Sequence, residues 1–215
     1  MRRLWNWIKR IFREPSRKVP SGTGAFKPNE SRQERLVRLY ESMKLKTMVK
    51  QNESTVQWYK KKALQGRLRY QEVALEFDMP WQVVAVVHAL EASFDFSKNL
   101  MNGQPYDQKT TWVPKNYGPW VDWHSAAIDA FKLKKQQGKL PAEWTLGSTL
   151  EFLLLFNGLG YERKGLVSAY LWSFTNHYVA QGGSKYVADG KFDRSAVSMQ
   201  VGAALLLNVL DFKKQ

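Results

Sequence analysis

Residues 78–94, DMPWQVVAVVHALEASF, decide how this chain is read. The Val-rich centre suits a buried strand, but the apolar run is about ten residues long, beyond the usual strand length. It is also preceded by Asp78 and Pro80, a residue that can cap free amides and one tolerated in a first helical turn. The stretch is therefore predicted to be a buried helix, with Asp78 as its cap. Such a helix places Glu91 in the last turn, following Val83, Val84, Val86, Val87 and Leu90. An unpaired carboxylate there would be expensive to bury. The negative end of the helix dipole and a low local dielectric both favour its protonated form. A carboxylic acid held neutral near neutrality is what a general acid in glycoside cleavage requires. The competing reading is a structural carboxylate paired with a neighbour, and His88, one turn back, is the nearest candidate.

Outward from this helix, the expectation is mainly helical. Upstream, Leu36, Leu39, Tyr40 and Met43 are spaced for one helical face, Gly66 is a plausible stop, and Tyr70 to Phe77 forms a short helix. Lys60, Lys61 and Lys62 read as a solvated face. Downstream, Lys98 to Trp120 is punctuated by Gly103, Pro105, Pro114, Gly118 and Pro119, so a small β-hairpin or long loop is expected there. Helical spacing returns over Asp122 to Gln137 and Thr145 to Phe156, and a last helix is expected from Asp193 or Ser195 through Leu210. The first twelve residues, MRRLWNWIKRIF, put Leu4, Trp5, Ile8, Ile11 and Phe12 on one face. That suits either membrane-surface contact, assigned to residues 1–13, or docking on protein. Glu14 to Ser31 reads as a Pro/Gly/Ser linker.

The 215 residues, 44% hydrophobic and 24% charged, are enough for a sizeable core. No apolar run reaches the roughly 18 residues of a bilayer span, and Lys9 and Arg10 interrupt any signal-peptide core. Zero cysteines exclude disulfides, thiolate nucleophiles and Cys-ligated zinc. Residues 1 to 62 hold 17 Lys and Arg against 5 Glu, a net of +12, while the remainder nets only +2. This basic third would be drawn to nucleic acid, anionic lipid or an anionic cell wall. His88, His124 and His177 lack the spacing of a zinc site, and no nucleophile elbow or phosphate loop is present. Neither metal nor cofactor is expected.

A flat-sided aromatic set, Trp112, Trp120, Trp123, Tyr161, Tyr170, Trp172 and Tyr178, would suit a groove that stacks on sugar rings. Asn157, Asn176 and Lys185 would supply hydrogen bonds. For a second carboxylate, Asp107 in the predicted β loop is the best placed candidate, ahead of Asp95 and Glu151.

Glu91-Ala92-Ser93-Phe94 is similar to the Glu-Ser-x-Phe stretch that closes the catalytic helix of goose-type lysozymes and lytic transglycosylases. Phe156-Asn157-Gly158-Leu159-Gly160-Tyr161 resembles the Tyr-Asn-x-Gly segment lining their cleft. The stretch from Trp81 through Asn102-Gly103, Trp112-Val113-Pro114 and Ser168 to Ser173, up to Lys185 to Gly190, looks like a group of lysozyme-like proteins of phages and bacteria. The resemblance covers roughly residues 70 to 207. Ala92 stands where the pattern has Ser, and Phe156 where it has Tyr. It implies a lysozyme-like (α+β) fold, mainly α, with a basic N-terminal helical extension. The expected layout is a linker region 1–31, a basic helical region 32–66 and a catalytic domain 67–215. It further implies an endolysin-like enzyme made in the cytoplasm and acting on peptidoglycan, at the β-1,4 bond between N-acetylmuramic acid and N-acetylglucosamine. Glu91 would be the acid, with Ser93, Phe94, Asn157 and Gly158 contacting substrate. The alternative is a non-enzymatic binding protein of wall or nucleic acid, although no nucleic acid partner is expected on the enzyme reading.

Overall fold

The computed structural model describes residues 26–48, 53–188 and 190–212. The amphipathic stretch 1–13 and most of the linker lie outside them. Among the described residues the chain is mainly helical, with one two-stranded antiparallel sheet.

Helix α1, Arg32–Glu41, begins at a capping box: Ser31 Oγ accepts from Glu34 N–H, and the Glu34 carboxylate accepts from Ser31 N–H. Two helices follow, α2 (Glu53–Gln65) and α3 (Arg67–Leu75). Their buried residues, Val56, Tyr59, Ala63, Tyr70, Val73 and Ala74, recur at helical spacing across Gly66, so the pair presents one continuous apolar stripe inward.

The decisive stretch is α4, Trp81–Ala92, and every residue from Val83 to Leu90 is buried in it. Tertiary burial overrides the β preference of valine. Asp78, however, does not cap α4. Its backbone is left-handed, at φ +48°, and the following Met79 N–H donates to Ala74 C=O. Asp78 thus closes α3, and Pro80 takes the cap position of α4 without a side-chain bond. At its far end α4 stops abruptly, because Ser93 and Phe94 are both left-handed, at φ +52° and +62°. Such backbone costs energy for residues other than glycine, and burial of the Phe94 ring against Tyr59 and His88 helps offset it.

Helix α5 spans Trp123–Gln136, capped by Asp122, and α6 spans Leu146–Asn157, capped by Thr145. A 3₁₀ turn at Glu162–Lys164 leads to the short helices α7, Ala169–Trp172, and α8, Asn176–Ala180. Strands β1, Lys185–Ala188, and β2, Lys191–Asp193, then pair with Lys185 opposite Asp193 and Tyr186 opposite Phe192. Helix α9, Ala203–Val209, ends the chain. Packed between α2, α3, α6 and α9, α4 forms the centre of the core.

Three expectations are corrected here. The loop 98–120 carries no strand pair beyond an isolated bridge between Lys98 and Pro105. Prolines remove the donors a ladder would need, and side chains take over: Gln104 Oε1 accepts from the N–H groups of Thr111 and Trp112. The hairpin instead forms at 185–193, where Asp189-Gly190 separates two short runs containing Tyr186, Val187 and Phe192. Asp-Gly between such runs is a strong hairpin signal that the sequence reading passed over. The last helix starts ten residues later than expected from Asp193, because Asp193 belongs to β2 and its carboxylate accepts from the N–H groups of Ser195 and Ala196.

The boundary expected at residue 66 is likewise not a packing boundary. Leu36, Leu39, Val56 and Tyr59 share one core with Val83 to Leu90. Ion pairs fasten α1 to the remainder: Arg32 Nη1 reaches Glu151 at 2.8 Å, and Glu162 accepts from both Arg32 and Arg35. Burial lowers the Arg35 pKa, and a cation in such a place depends on its partner. Glu162→Ala is expected to cost about 3 kcal/mol by stranding it. Urea unfolding measures this; a loss below about 0.5 kcal/mol would mean that the pair is as weak as an exposed one.

Candidate active site

Glu91 lies in the last turn of α4, and residues from four other segments gather around it. Lys134, from α5, donates to Phe156 C=O at 3.2 Å and rests its ammonium 4.0 Å from the centre of the Phe156 ring. Tyr170, from α7, brings its hydroxyl close to the Glu91 carboxyl without completing a hydrogen bond, and that hydroxyl is buried with no other partner. Gln200 donates to Leu90 C=O at 3.1 Å, which holds the segment before α9 against the end of α4. The loop 98–120 comes down on the opposite side. Gly103, at φ +72°, approaches so closely that a Cβ there would lie 2.5 Å from the Glu91 carbonyl oxygen.

Burial pushes the Glu91 carboxyl up to about 7, against the smaller downward pull of the Tyr170 hydroxyl and the Lys134 charge. Burial pushes Lys134 the other way, down to about 8. The expected alternative is pairing with a neighbouring Lys, Arg or His; His88, the nearest in sequence, does not pair with Glu91, and the cation that acts on Glu91 is Lys134. His88 Nδ1 meets the Tyr70 hydroxyl at 2.8 Å, and its ring lies 4.5 Å and 5.0 Å from those of Phe96 and Trp123. Burial drives its pKa down to about 4, so it is a neutral core residue.

Beside Glu91 opens a groove of about 570 Å³. Of the residues singled out from sequence, Asn157, Gly158, Tyr161, Tyr170 and Lys185 line it, together with Leu90, the neighbour of Glu91. Asn157 and Gly158 arrive at the C-terminal end of α6, Tyr161 at the 3₁₀ turn and Lys185 at the start of β1. Tyr161 accepts from Tyr186 N–H at 3.1 Å, and burial raises its hydroxyl to about 12, so it remains a neutral hydroxyl. Gly160, Ala169, Ala188 and Gly190 line the groove as well, and the remaining lining residues, Arg163, Tyr186, Ser198, Met199 and Gln200, are site residues that sequence reasoning missed. The Asp-Gly hairpin signal would have brought in Tyr186; the others have no local motif.

The remaining candidates go elsewhere. Phe94 and Trp172 are core residues, as are Trp123 and Tyr178. Ser93 is an exposed left-handed cap outside the groove lining. Asn176 bonds the backbone at Lys44 and Ser42, so it fixes the segment after α1. Asp107 is exposed on the loop 98–120 and is not among the groove-lining residues. Glu151 accepts from Arg32 and Gln33, and Asp95 from the backbone and hydroxyl of Ser97; both carboxylates serve structure. Trp112, although 62% exposed, lies on the loop outside the groove. No cluster of three His, Asp or Glu residues able to hold a metal ion exists among the described residues, and none of their helices is long and apolar enough to cross a membrane.

Chemically, the site offers one proton at Glu91, released near neutral pH, beside a groove of amide, hydroxyl, aromatic and cationic groups. Replacement of the Tyr170 hydroxyl tests their coupling. Tyr170→Phe removes an influence that holds the Glu91 pKa down, so any activity requiring protonated Glu91 should persist to higher pH in this variant. A pH–rate profile with its alkaline limb unmoved would separate the two groups.

The chain matches no protein-family model, no curated protein and no solved structure. Its functional reading therefore stands on the chemistry of this site.

Proposed function

We propose that this protein is a lysozyme-like glycosidase that cleaves the β-1,4 bonds between N-acetylmuramic acid and N-acetylglucosamine in peptidoglycan, with Glu91 as general acid. One observation carries the reading: a carboxyl that keeps its proton up to about pH 7 adjoins the groove through Leu90 and Tyr170, although it is not itself among the lining residues. Glu91 would give its proton to the glycosidic oxygen as its bond to the anomeric carbon breaks, so the departing sugar leaves as an alcohol. The now-negative carboxylate is then stabilised by the Tyr170 hydroxyl and the Lys134 ammonium, the two groups that act on it. The anomeric carbon is taken by water, giving a reducing end, or by the C6 hydroxyl of its own sugar, giving a 1,6-anhydro end, and the proton that the incoming oxygen loses later restores Glu91. Asn157 and Lys185 offer hydrogen bonds to hydroxyl and N-acetyl groups, and the half-buried rings of Tyr170 and Tyr186 offer apolar faces to the pyranose. The resemblance in sequence to goose-type lysozymes and lytic transglycosylases supports the same assignment.

Acting at the wall, such an enzyme would be concentrated there by its basic N-terminal residues, an attraction that weakens as salt rises. The test is mass spectrometry of soluble fragments released from purified peptidoglycan by wild type and Glu91→Gln. Muropeptides from wild type alone support the proposal. Reducing ends identify hydrolysis, and 1,6-anhydro ends identify transglycosylation. Release of nothing across several wall chemotypes overturns the proposal in favour of a binding protein.

A further inference from the structure

The 3₁₀ turn carries three charges in a row, Glu162, Arg163 and Lys164, and each is disposed differently. The Glu162 carboxylate is taken by Arg32 and Arg35 from α1. The Lys164 ammonium lies 5.0 Å from the centre of the Phe192 ring in β2. Arg163 has neither an ion pair nor a ring contact among the described residues, and it lines the groove. Lys185 belongs to the same lining. Its cross-strand neighbour is Asp193, but that carboxylate is turned to Ser195 and Ala196, and the two residues form no salt bridge.

Both cations stand on elements fixed to one another. Tyr186, next to Lys185, donates its N–H to the hydroxyl of Tyr161, two residues before Arg163, and the two rings meet edge to face at 5.2 Å. Among the described lining residues none is acidic. A neutral glycan strand is satisfied by amides, hydroxyls and aromatic faces. A guanidinium and an ammonium in a groove whose described lining residues include no acid are matched by an anion on the ligand.

We infer that Arg163 and Lys185 are specificity-determining residues that select glycan strands bearing carboxylate groups, those of peptide stems or lactyl substituents, over uncharged strands. This rests on the groove being the glycan site.

The test uses the full chain and peptidoglycan stripped of phosphate polymers, so that carboxylates are the anions left on the wall. One half of the material has its carboxylates amidated. Two exposed-to-half-buried charge contacts should give wild type a preference for native over amidated wall of about tenfold in release rate. In Arg163→Gln/Lys185→Gln this ratio should fall towards one. The control, Lys60→Gln/Lys61→Gln, removes the same charge from α2 and should keep the full ratio. A groove variant that keeps the preference, or a control that loses it equally, overturns the inference and leaves bulk charge as the cause. Binding of fluorescent native and amidated strands is measured in parallel on the same three proteins. If wild type releases nothing from either wall, the enzymatic reading fails, and the binding ratio still decides whether the groove selects carboxylates.

Discussion

Glu91→Gln should reduce glycan release by about three orders of magnitude, within the range that a positioned general acid contributes, while leaving binding of the strand in place. Glutamine keeps the shape and loses the proton. Because Glu91 holds its proton up to about pH 7, the wild-type rate should fall as pH rises above that value. The same substitution should make the protein more stable. In the unfolded chain this carboxyl loses its proton near its ordinary value of 4.5. The cost of ionising it in the fold is therefore absent below pH 4.5, grows between 4.5 and 7, and is complete above 7. At pH 8 the gain for Glu91→Gln is expected to be up to about 3 kcal/mol. Thermal unfolding followed at pH 8 and pH 5 gives the comparison, and a stability gain that does not shrink at the lower pH would contradict a buried, proton-holding Glu91. His88 has the opposite slope: its pKa is lowered to about 4, so the stability it lends is present above its ordinary 6.5 and lost as pH falls towards 4.

The second large effect belongs to Gly202, the residue that opens α9. Its backbone, at φ −69° and ψ 150°, is open to any residue, so conformational freedom is not why glycine is needed there. The reason is space. A Cβ at this position would meet Leu171 C=O at 2.5 Å and Ser173 N–H at 2.8 Å, both backbone atoms at the end of α7. Neither can turn aside as a side chain would, so α9 and α7 would have to separate. Gly202→Ala is expected to cost about 3 kcal/mol or more, at the upper end for overpacking. Equilibrium unfolding in urea measures it directly. A change of under about 0.5 kcal/mol would mean that the two helices are free to part. Because Tyr170 sits on α7, the surviving fraction should also show an altered pH profile.

Helix α4 was legible because burial and length act together. A ten-residue apolar run with Glu91 at its end is too long for a strand and too polar at that point to be ignored. Asn157, Gly158, Tyr161, Tyr170 and Lys185 are also legible in the sequence, as aromatic, amide or cationic groups suited to sugar in segments rich in glycine and aromatic residues. What the sequence concealed depended on contacts distant along the chain. Trp172 and Phe94 look like binding aromatics, but nothing local tells an inward ring from an outward one. Glu151 looks like a second acid until Arg32, 119 residues away, takes its carboxylate. Asp78 looks like a cap for α4 because its side chain suits that role, whereas its left-handed backbone serves the helix before it. Arg163 carried no signal at all, since its importance comes from the commitments of its two neighbours.

The fastening of α1 also fixes where a tether would pull. The chain enters the described structure at Phe26, whose ring lies 4.6 Å from the Arg35 guanidinium, and Arg35 in turn grips Glu162. Whatever surface the basic residues ahead of Phe26 hold, they hold it from a point one ion pair away from the groove wall at Tyr161 and Arg163. If those residues bind the wall, as the proposed function has it, the attachment acts next to the groove and not on a remote face of the described structure.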